Sequence, residues 1–424
     1  MRNKALALYN ETLFRNSVYL ILSTGTMAVL GFVFWLLVAH LYSPGQVGIA
    51  STLISSMSFI SYLSLLGFNS TFIRFLPTSK NRNEHINTGL ILVTIAAMIA
   101  GSLFVLCAPH FAPRLGLLDH NLLFGVSFVL LCIGATLNLI TDSIFVAYRS
   151  AGYNFLIDGV IGSSVQLLLP LAFISLGAFG IYVAQGSATL VAMALSFVFL
   201  MKKFRYQPRF RVKRTILNGV LHYSSANYVA SLLNTVPIII LPIIILNKLG
   251  AAPAGYYYLA FMMANVLFAI AYAVAQSFFA EGSYGERELL LLAKRAALFL
   301  SVTMIPASLL LAGVGPLVLQ IFGKSYSNHG GQVLIVLAAV GPVLAAGALG
   351  SVALRITKHG KTLILTNSVY ALLICGLALL WAQRGLVWVA GAWFCGQAVT
   401  TVATYLALWM HYRRHALTVH MTAE

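Results

Sequence analysis

The sequence predicts an all-α, polytopic membrane protein of about twelve transmembrane helices, arranged as two related six-helix bundles. Three observations lead there. Hydrophobic residues make up 60% of the 424 and charged residues only 8%. Long apolar runs recur along the whole chain, separated by short polar breaks. The lysines and arginines in those breaks alternate, dense in one and sparse in the next.

A soluble chain commonly carries charge on about a quarter of its residues. This one has too few charges to cover a globule, so lipid must be its outer solvent. A helix of about 20 apolar residues spans the hydrocarbon layer. The runs predict helices 1 to 12 over 17–40, 47–68, 86–108, 121–147, 156–176, 179–201, 218–246, 256–279, 293–313, 329–354, 361–381 and 386–410. The first run, about Ser17 to Leu37, is too long for a signal-peptide core and lacks a small-residue cleavage pattern. It is expected to stay as the first permanent helix.

Basic residues set the orientation, because they concentrate in cytoplasmic loops. Of the 26, only Arg114, Lys248, Lys324 and Arg384 fall on one side; the other 22 share the opposite side. The alternation supports the helix count, since a missed helix would scramble it. Both termini are expected to be cytoplasmic. The net charge of +17 thus reads as topology, and no nucleic-acid partner is expected. The densest stretch runs from Lys202 to Arg214 and contains Pro208. Residues 202–215 are read as a basic cytoplasmic linker between an N-terminal bundle (1–201) and a C-terminal bundle (216–424). Their charge should hold them near anionic headgroups.

The two halves resemble each other at an offset of about 207 residues. Leu41-Tyr42-Ser43-Pro44-Gly45-Gln46-Val47-Gly48 falls on Leu249-Gly250-Ala251-Ala252-Pro253-Ala254-Gly255 with one gap. Pro109 falls on Pro316 and Gly116 on Gly323; Arg149 and Gly152 fall near Arg355 and Gly360. An even number of helices per half repeats the second in the orientation of the first, which implies a pseudo-twofold axis along the membrane normal and a cleft between the halves.

Polar residues inside a membrane are costly unless they face protein or water. Helix 1 carries Asn16, Tyr19, Ser23 and Thr26; helix 7 carries Ser224, Asn227, Ser231 and Asn234. Helix 2 carries Ser51, Ser55, Ser58 and Tyr62; helix 8 carries Tyr258, Asn265, Tyr272 and Gln276. Such spacings put each set on one helix face. A hydrated cleft lined by these four helices accounts for stripes in matching positions. The alternative is that they glue helices together within each bundle. Pro237 and Pro242 interrupt helix 7, either as a gate or as a fixed bend.

Asp142 and Asp158 lie near the cytoplasmic ends of helices 4 and 5, with Arg149 between them. They are candidates for binding a coupling proton or sodium ion; the structural alternative is pairing with Arg149. Arg74 ends helix 2, with Glu281 at the equivalent end of helix 8. The two could latch the halves, or Arg74 could meet an anionic substrate. Cys107, Cys132, Cys375 and Cys395 are far apart and read as packing residues. There is no GxxxxGK[ST], HExxH or GxSxG pattern. No catalytic residue, metal site or cofactor is expected beyond that coupling ion, so the chain reads as a non-enzyme.

Four segments resemble motifs of polysaccharide-type flippases. Ala39 to Gly48 is similar to their "A-R-x-L-x-P-x-x-Y/F-G", with His40 in place of the arginine. Leu66-Gly67-Phe68-Asn69-Ser70-Thr71-Phe72-Ile73-Arg74 looks like "L-G-L-x-x-A-x-x-R". Leu249 to Tyr258 resembles "L-G-x-x-x-V-G-x-Y", and Gln320 to Tyr326 resembles "x-x-x-F-G-x-x-Y". The family is the polysaccharide transport branch of the multidrug/oligosaccharidyl-lipid/polysaccharide (MOP) superfamily, which includes O-antigen and exopolysaccharide flippases. The resemblance implies a MATE-like fold with a V-shaped cleft and alternating access. It implies an undecaprenyl-pyrophosphate-linked oligosaccharide as cargo, for O-antigen, exopolysaccharide or capsule synthesis. It also implies a multi-pass protein of the bacterial inner membrane, working beside a polysaccharide polymerase and a chain-length regulator. Family cavities are often cationic, whereas helices 1, 2, 7 and 8 carry no central Lys or Arg here. Arg15, Arg74 and Arg355 lie near the cytoplasmic face, and Tyr19, Tyr62, Tyr258 and Tyr272 are placed to stack on sugar rings. A cation-coupled MATE-type drug exporter is the alternative reading. A membrane scaffold and a glycan polymerase are weaker ones.

Overall fold

The computed structural model describes residues 12–79, 81–115, 122–282, 289–357 and 359–421. These residues form helices and no strand. Twelve of the helices are long and apolar enough to cross a membrane. We number them α1 (Thr12–Leu41), α2 (Pro44–Ser64), α3 (Arg82–Phe111), α4 (Leu122–Ala147), α5 (Gly152–Ala172), α6 (Ala178–Phe204), α7 (Arg214–Lys248), α8 (Ala251–Gly282), α9 (Leu289–Phe322), α10 (Lys324–Ile356), α11 (Gly360–Trp381) and α12 (Leu386–Met421). The chain forms two compact units, Met1–Tyr228 and Val229–Glu424.

Every sequence-predicted helix is present, and the differences lie at the ends. Helix 2 was expected over 47–68. Instead α2 stops at Ser64, because Leu66 and Gly67 both take positive φ (51° and 82°) and turn the chain. A separate short helix, Phe68–Phe75, follows. Its Phe68, Thr71 and Phe72 are buried, while Ile73, Arg74 and Phe75 are exposed. The start of α2 explains the Ser-Pro-Gly-Gln motif. Ser43 Oγ accepts from the Gln46 amide (3.4 Å), and Gln46 Oε1 accepts from the Ser43 amide (2.9 Å). That reciprocal capping satisfies two donors that no helix bond reaches, and Pro44 needs no donor at the first turn.

The first unit packs α2 and α4 at its centre. Most of the strongly apolar stretch of α2 is buried, 67% against 22% for α1 and for α3. Buried serines make this possible. Ser56, Ser61 and Ser64 each donate to the carbonyl four residues earlier, at 2.8, 2.8 and 2.6 Å, so none of these three hydroxyls enters the core unsatisfied. At one end of this unit a core cluster joins the short helix to α3, α4 and α6, through residues such as Phe72, Leu90, Ile144 and Leu200.

The basic linker is held on the first turns of α3. Tyr206 is buried in that cluster, and its hydroxyl donates to Asn87 Oδ1 (2.6 Å). The Arg209 amide donates to the same oxygen (3.0 Å), and Asn87 Nδ2 donates to the Gln207 carbonyl (3.2 Å). The Lys213 amide donates to Thr88 Oγ1 (3.1 Å), and its ammonium pairs with Glu84. Burial pushes the Tyr206 hydroxyl up to about 12, so it keeps its proton and remains a donor near neutral pH.

In the second unit α10 is the most enclosed helix, with 61% of its apolar stretch buried. It packs against α8, α9 and α12. Pro237, Pro242, Pro306, Pro316 and Pro342 all lie inside helices. The Pro316 carbonyl accepts from Ser327 Oγ at 2.7 Å.

Asn87→Ala is expected to unfasten the linker, because it strands the buried Tyr206 hydroxyl and an amide. An unsatisfied buried group costs roughly 1–3 kcal/mol. The thermal midpoint of the purified variant should fall below that of wild type, and Tyr206→Phe should fall by less. An unchanged midpoint for Asn87→Ala would show that the linker is not fastened there.

Candidate functional site

Two polar constellations stand out, one in each unit. The first joins α4 and α5. Asn138 and Asp142 are one turn apart on α4, and Asn154 and Asp158 are one turn apart on α5, so each pair shares a helix face. Asn138 Nδ2 donates to Asp158 Oδ1 (2.8 Å), and Asn154 Nδ2 donates to the Asp142 carbonyl (3.3 Å). The Asp142 and Asp158 carboxyls lie within hydrogen-bonding reach of each other. Asn138 and Asn154 are buried, and the aspartates are half-buried. Four buried oxygens here have no hydrogen-bond partner: Asn138 Oδ1, Asp142 Oδ1, Asn154 Oδ1 and Asp158 Oδ2.

A backbone irregularity positions Asp158. Residues Phe155–Gly162 form a π-helix, in which the Ser163 amide reaches the Asp158 carbonyl. Ser163 Oγ donates to that carbonyl as well (2.8 Å). Such wide turns inside α-helices are rare and occur often at functional sites. Arg149 does not pair with either aspartate, which corrects the structural alternative for them. It sits exposed in a left-handed turn (φ 55°) between α4 and α5, and the carboxyls turn inward instead.

The polar face of α1 meets this same region. Asn16 Oδ1 accepts from the Ala151 amide (3.1 Å). Tyr19 stacks on Phe155 with ring centroids 6.2 Å apart. Ser23 is buried, and its Oγ donates to the Asn154 carbonyl (3.4 Å). The close approach depends on Gly159, where a Cβ would stand 3.2 Å from Ser23 Cα. On α2, Ser51 is buried and bonded to the Gly48 carbonyl (3.0 Å). Ser55 and Ser58 are half-buried, and Tyr62 is 47% exposed. The Arg74 guanidinium lies 5.3 Å from the centre of the Phe75 ring.

The second constellation is a cavity of about 130 Å³ within the second unit. Asn234 comes from α7, Tyr272 and Gln276 from α8, and Ser351 and Arg355 from α10. Asn367 and Tyr370 of α11 and Gln397, Thr400, Thr401 and Thr404 of α12 complete the polar lining. Most of these groups are held. Asn367 Nδ2 donates to the Ala230 carbonyl (2.9 Å), Gln397 Nε2 to Thr401 Oγ1 (3.3 Å), and Thr401 Oγ1 to the Val343 carbonyl (3.3 Å). The wall is therefore a preformed set of amides, hydroxyls and phenols, with one guanidinium and no carboxylate. Gly347 lets α10 and α12 close on it; a Cβ there would come within 2.6 Å of Thr401 Oγ1 and 2.7 Å of Gln397 Nε2.

Of the residues expected to line a cleft, Asn234, Tyr272 and Gln276 meet in this cavity. Tyr258 is half-buried, while Ser231 and Asn265 are exposed and outside the lining. The side chains of Ser224 and Asn227 lie outside the described residues, as does that of Arg15. Pro237 and Pro242 are buried in a continuous α7. Glu281 faces a separate groove with Arg295 of α9. The contributions of α10, α11 and α12 were missed, because their amides and hydroxyls are scattered among apolar residues. The asparagines of the first constellation were missed too, although an Asn-x-x-x-Asp spacing occurs at both Asn138–Asp142 and Asn154–Asp158.

Comparison with known proteins adds three findings. Residues 37–329 match the family model described as "Polysaccharide biosynthesis protein". No curated protein sequence matches the chain. Solved structures do. An inward-facing multidrug resistance MATE family transporter of the MOP superfamily is 16% identical with a TM-score of 0.73, over 95% of this chain and 99% of that one. A MATE structure in complex with MaL6 is 17% identical with a TM-score of 0.61, over 96% of each chain. A MOP superfamily transporter from Pyrococcus furiosus, whose binding pocket is described as having reversed polarity, is 16% identical with a TM-score of 0.63, over 96% of each chain. The fold is thus that of the MATE transporters.

Gly347→Ala should destabilise the second unit by roughly 1–3 kcal/mol, since the walls of the cavity must shift. Gly376→Ala, where the added carbon meets nothing within 4 Å, serves as the control. Equal thermal midpoints for the two variants would show that α10 and α12 yield freely at Gly347.

Proposed function

Because the chain belongs to the polysaccharide biosynthesis protein family and has the fold of the MATE transporters, we propose that it is a flippase. Its cargo is an undecaprenyl-pyrophosphate-linked oligosaccharide repeat unit, moved across the bacterial inner membrane by alternating access. The observation that carries this reading is the family match over 37–329 on a twelve-helix transporter fold. The cavity of the second unit supports it. Amides and hydroxyls exchange hydrogen bonds with sugar hydroxyls, and the rings of Tyr272 and Tyr370 offer flat apolar faces. Arg355 supplies a cation at the same wall for a phosphate oxygen. The product feeds O-antigen, exopolysaccharide or capsule synthesis, with a polymerase and a chain-length regulator as partners. Both termini lie in the cytoplasm, on the side of the dense basic loops.

The coupling ion binds between α4 and α5. Two ionised carboxylates offer each other only acceptors, so the Asp142–Asp158 contact needs a shared proton or a cation in its place. The four unpartnered oxygens around it are ready ligands for either. This pair also favours the second reading, a cation-coupled MATE-type drug exporter.

The reading is tested in a deletion strain, by quantifying surface polysaccharide and undecaprenyl-linked repeat units with and without the gene restored. Loss of surface glycan with accumulation of lipid-linked units is expected. Unchanged pools in a strain without a second flippase gene would sink it and turn attention to drug efflux.

Within the complemented strain, Asp142→Asn/Asp158→Asn should reduce surface glycan to about a tenth of wild type or less while the protein still reaches the membrane, the general size of losing an essential charged contact. Full export by the double variant would remove the ion from between α4 and α5.

A further inference from the structure

The linker between α6 and α7 is a shaped surface. Arg205 takes a left-handed conformation (φ 54°) that ends α6, and the buried Tyr206 pins the chain at that point. At the far end, Lys213 is fixed by Thr88 and Glu84. Between these anchors Asn87 grips the backbone twice. Gln207, Pro208, Arg209, Phe210, Arg211 and Val212 are all exposed, and Phe210 is as open as a free side chain (103%).

The depth of this strap follows from its anchors. Asn87 and Thr88 lie just before the apolar run of α3 that starts at Gly89-Leu90. At about 1.5 Å per residue, the strap sits within about 5 Å of the hydrocarbon boundary. The headgroup layer on each side is about 5–7 Å thick. A fixed loop in that layer therefore presents two guanidiniums flanking a bare phenyl ring. The nearest carboxylate on α3, Glu84, pairs with Lys213 and attracts Arg211 as well, and Arg209 Nη2 donates to Gln207 Oε1 (3.2 Å). Lys202, Lys203 and Arg205 extend the same positive surface along the end of α6, all exposed.

We propose that residues 205–213 form a docking surface for the anionic phospholipids of the surrounding leaflet. Arg209 and Arg211 hold the lipid phosphates, for which a guanidinium fork is well matched. Phe210 sits between them with its ring among the first acyl carbons, the place aromatic side chains take at a membrane interface. Because the strap is bonded to α3, the bound lipids tie that end of the first unit to the bilayer. Such a surface needs only a chain that spans a membrane, whatever its cargo is.

The full-length protein, with its four native cysteines replaced, is placed in lipid nanodiscs with a fluorophore on Phe210→Cys. The discs contain phosphatidylcholine alone or mixed with phosphatidylglycerol. In the mixed discs the label should be quenched by brominated lipid and shielded from aqueous iodide. Arg209→Gln/Arg211→Gln should restore iodide quenching in the same discs. Retention of phosphatidylglycerol by the purified protein should weaken about thirtyfold in that variant, as expected for two interfacial charges. A label on Thr78→Cys, an exposed position before α3, should respond little to lipid charge. Equal iodide access at 210 in both lipids, or an equal response at 78, would overturn the proposal. If the cysteine-free protein fails to fold, lipid retention by wild type and the arginine variant decides alone: equal retention overturns it.

Discussion

The bilayer interior contains no water to bond a polar atom, and that constraint organises this chain at every level. It makes each spanning segment a helix, since only a helix satisfies its own backbone. It then acts on side chains. Hydroxyls on α2 and α12 bond back to the carbonyl one turn earlier, as Ser64, Thr400 and Thr404 do at 2.6, 2.7 and 2.8 Å. Amides and carboxyls have more atoms than such a bond can satisfy. They are gathered instead, around Asp142 and Asp158 in one unit and around Asn367 and Gln397 in the other.

The two gatherings differ in chemistry, and the difference suits a division of labour. The first holds carboxyls with oxygens to spare, which suits a proton or a small cation. The second holds neutral donors and acceptors with one guanidinium beside them, which suits an uncharged or anionic polar molecule. The π-turn of α5 adjoins α1 as well: Ser23 Oγ donates to the Asn154 carbonyl just before that turn, and Asp158 lies within it.

Some of the polar pattern was legible in the sequence and some was not. The stripe Asn16, Tyr19 and Ser23 was visible as a helical face, but only the fold shows that this face packs on α5. Spacing places residues on one face of a helix and says nothing of what the face meets. Asn138 and Asn154 each precede an aspartate by one turn, so the signal was present; it acquired meaning only when α4 and α5 were brought side by side. The linker reads as a run of charge, which normally means a solvated loop. Asn87, more than a hundred residues earlier, turns it into a fixed strap.

The sequence by itself determined the membrane, the number of spans and the side on which charge collects, because each depends on local composition and the thickness of the lipid. It also carried the family, through short motifs such as Ser43-Pro44-Gly45-Gln46, whose capping role is local as well. The tertiary structure decided which polar groups share a site. It drew Asn234, Tyr272 and Gln276 together with residues of α10, α11 and α12, and it turned Asp142 towards Asp158 and away from Arg149. The physical reason is that a polar atom in lipid must find its partner across helices, and which helices adjoin is settled by packing along their whole length rather than by any single segment.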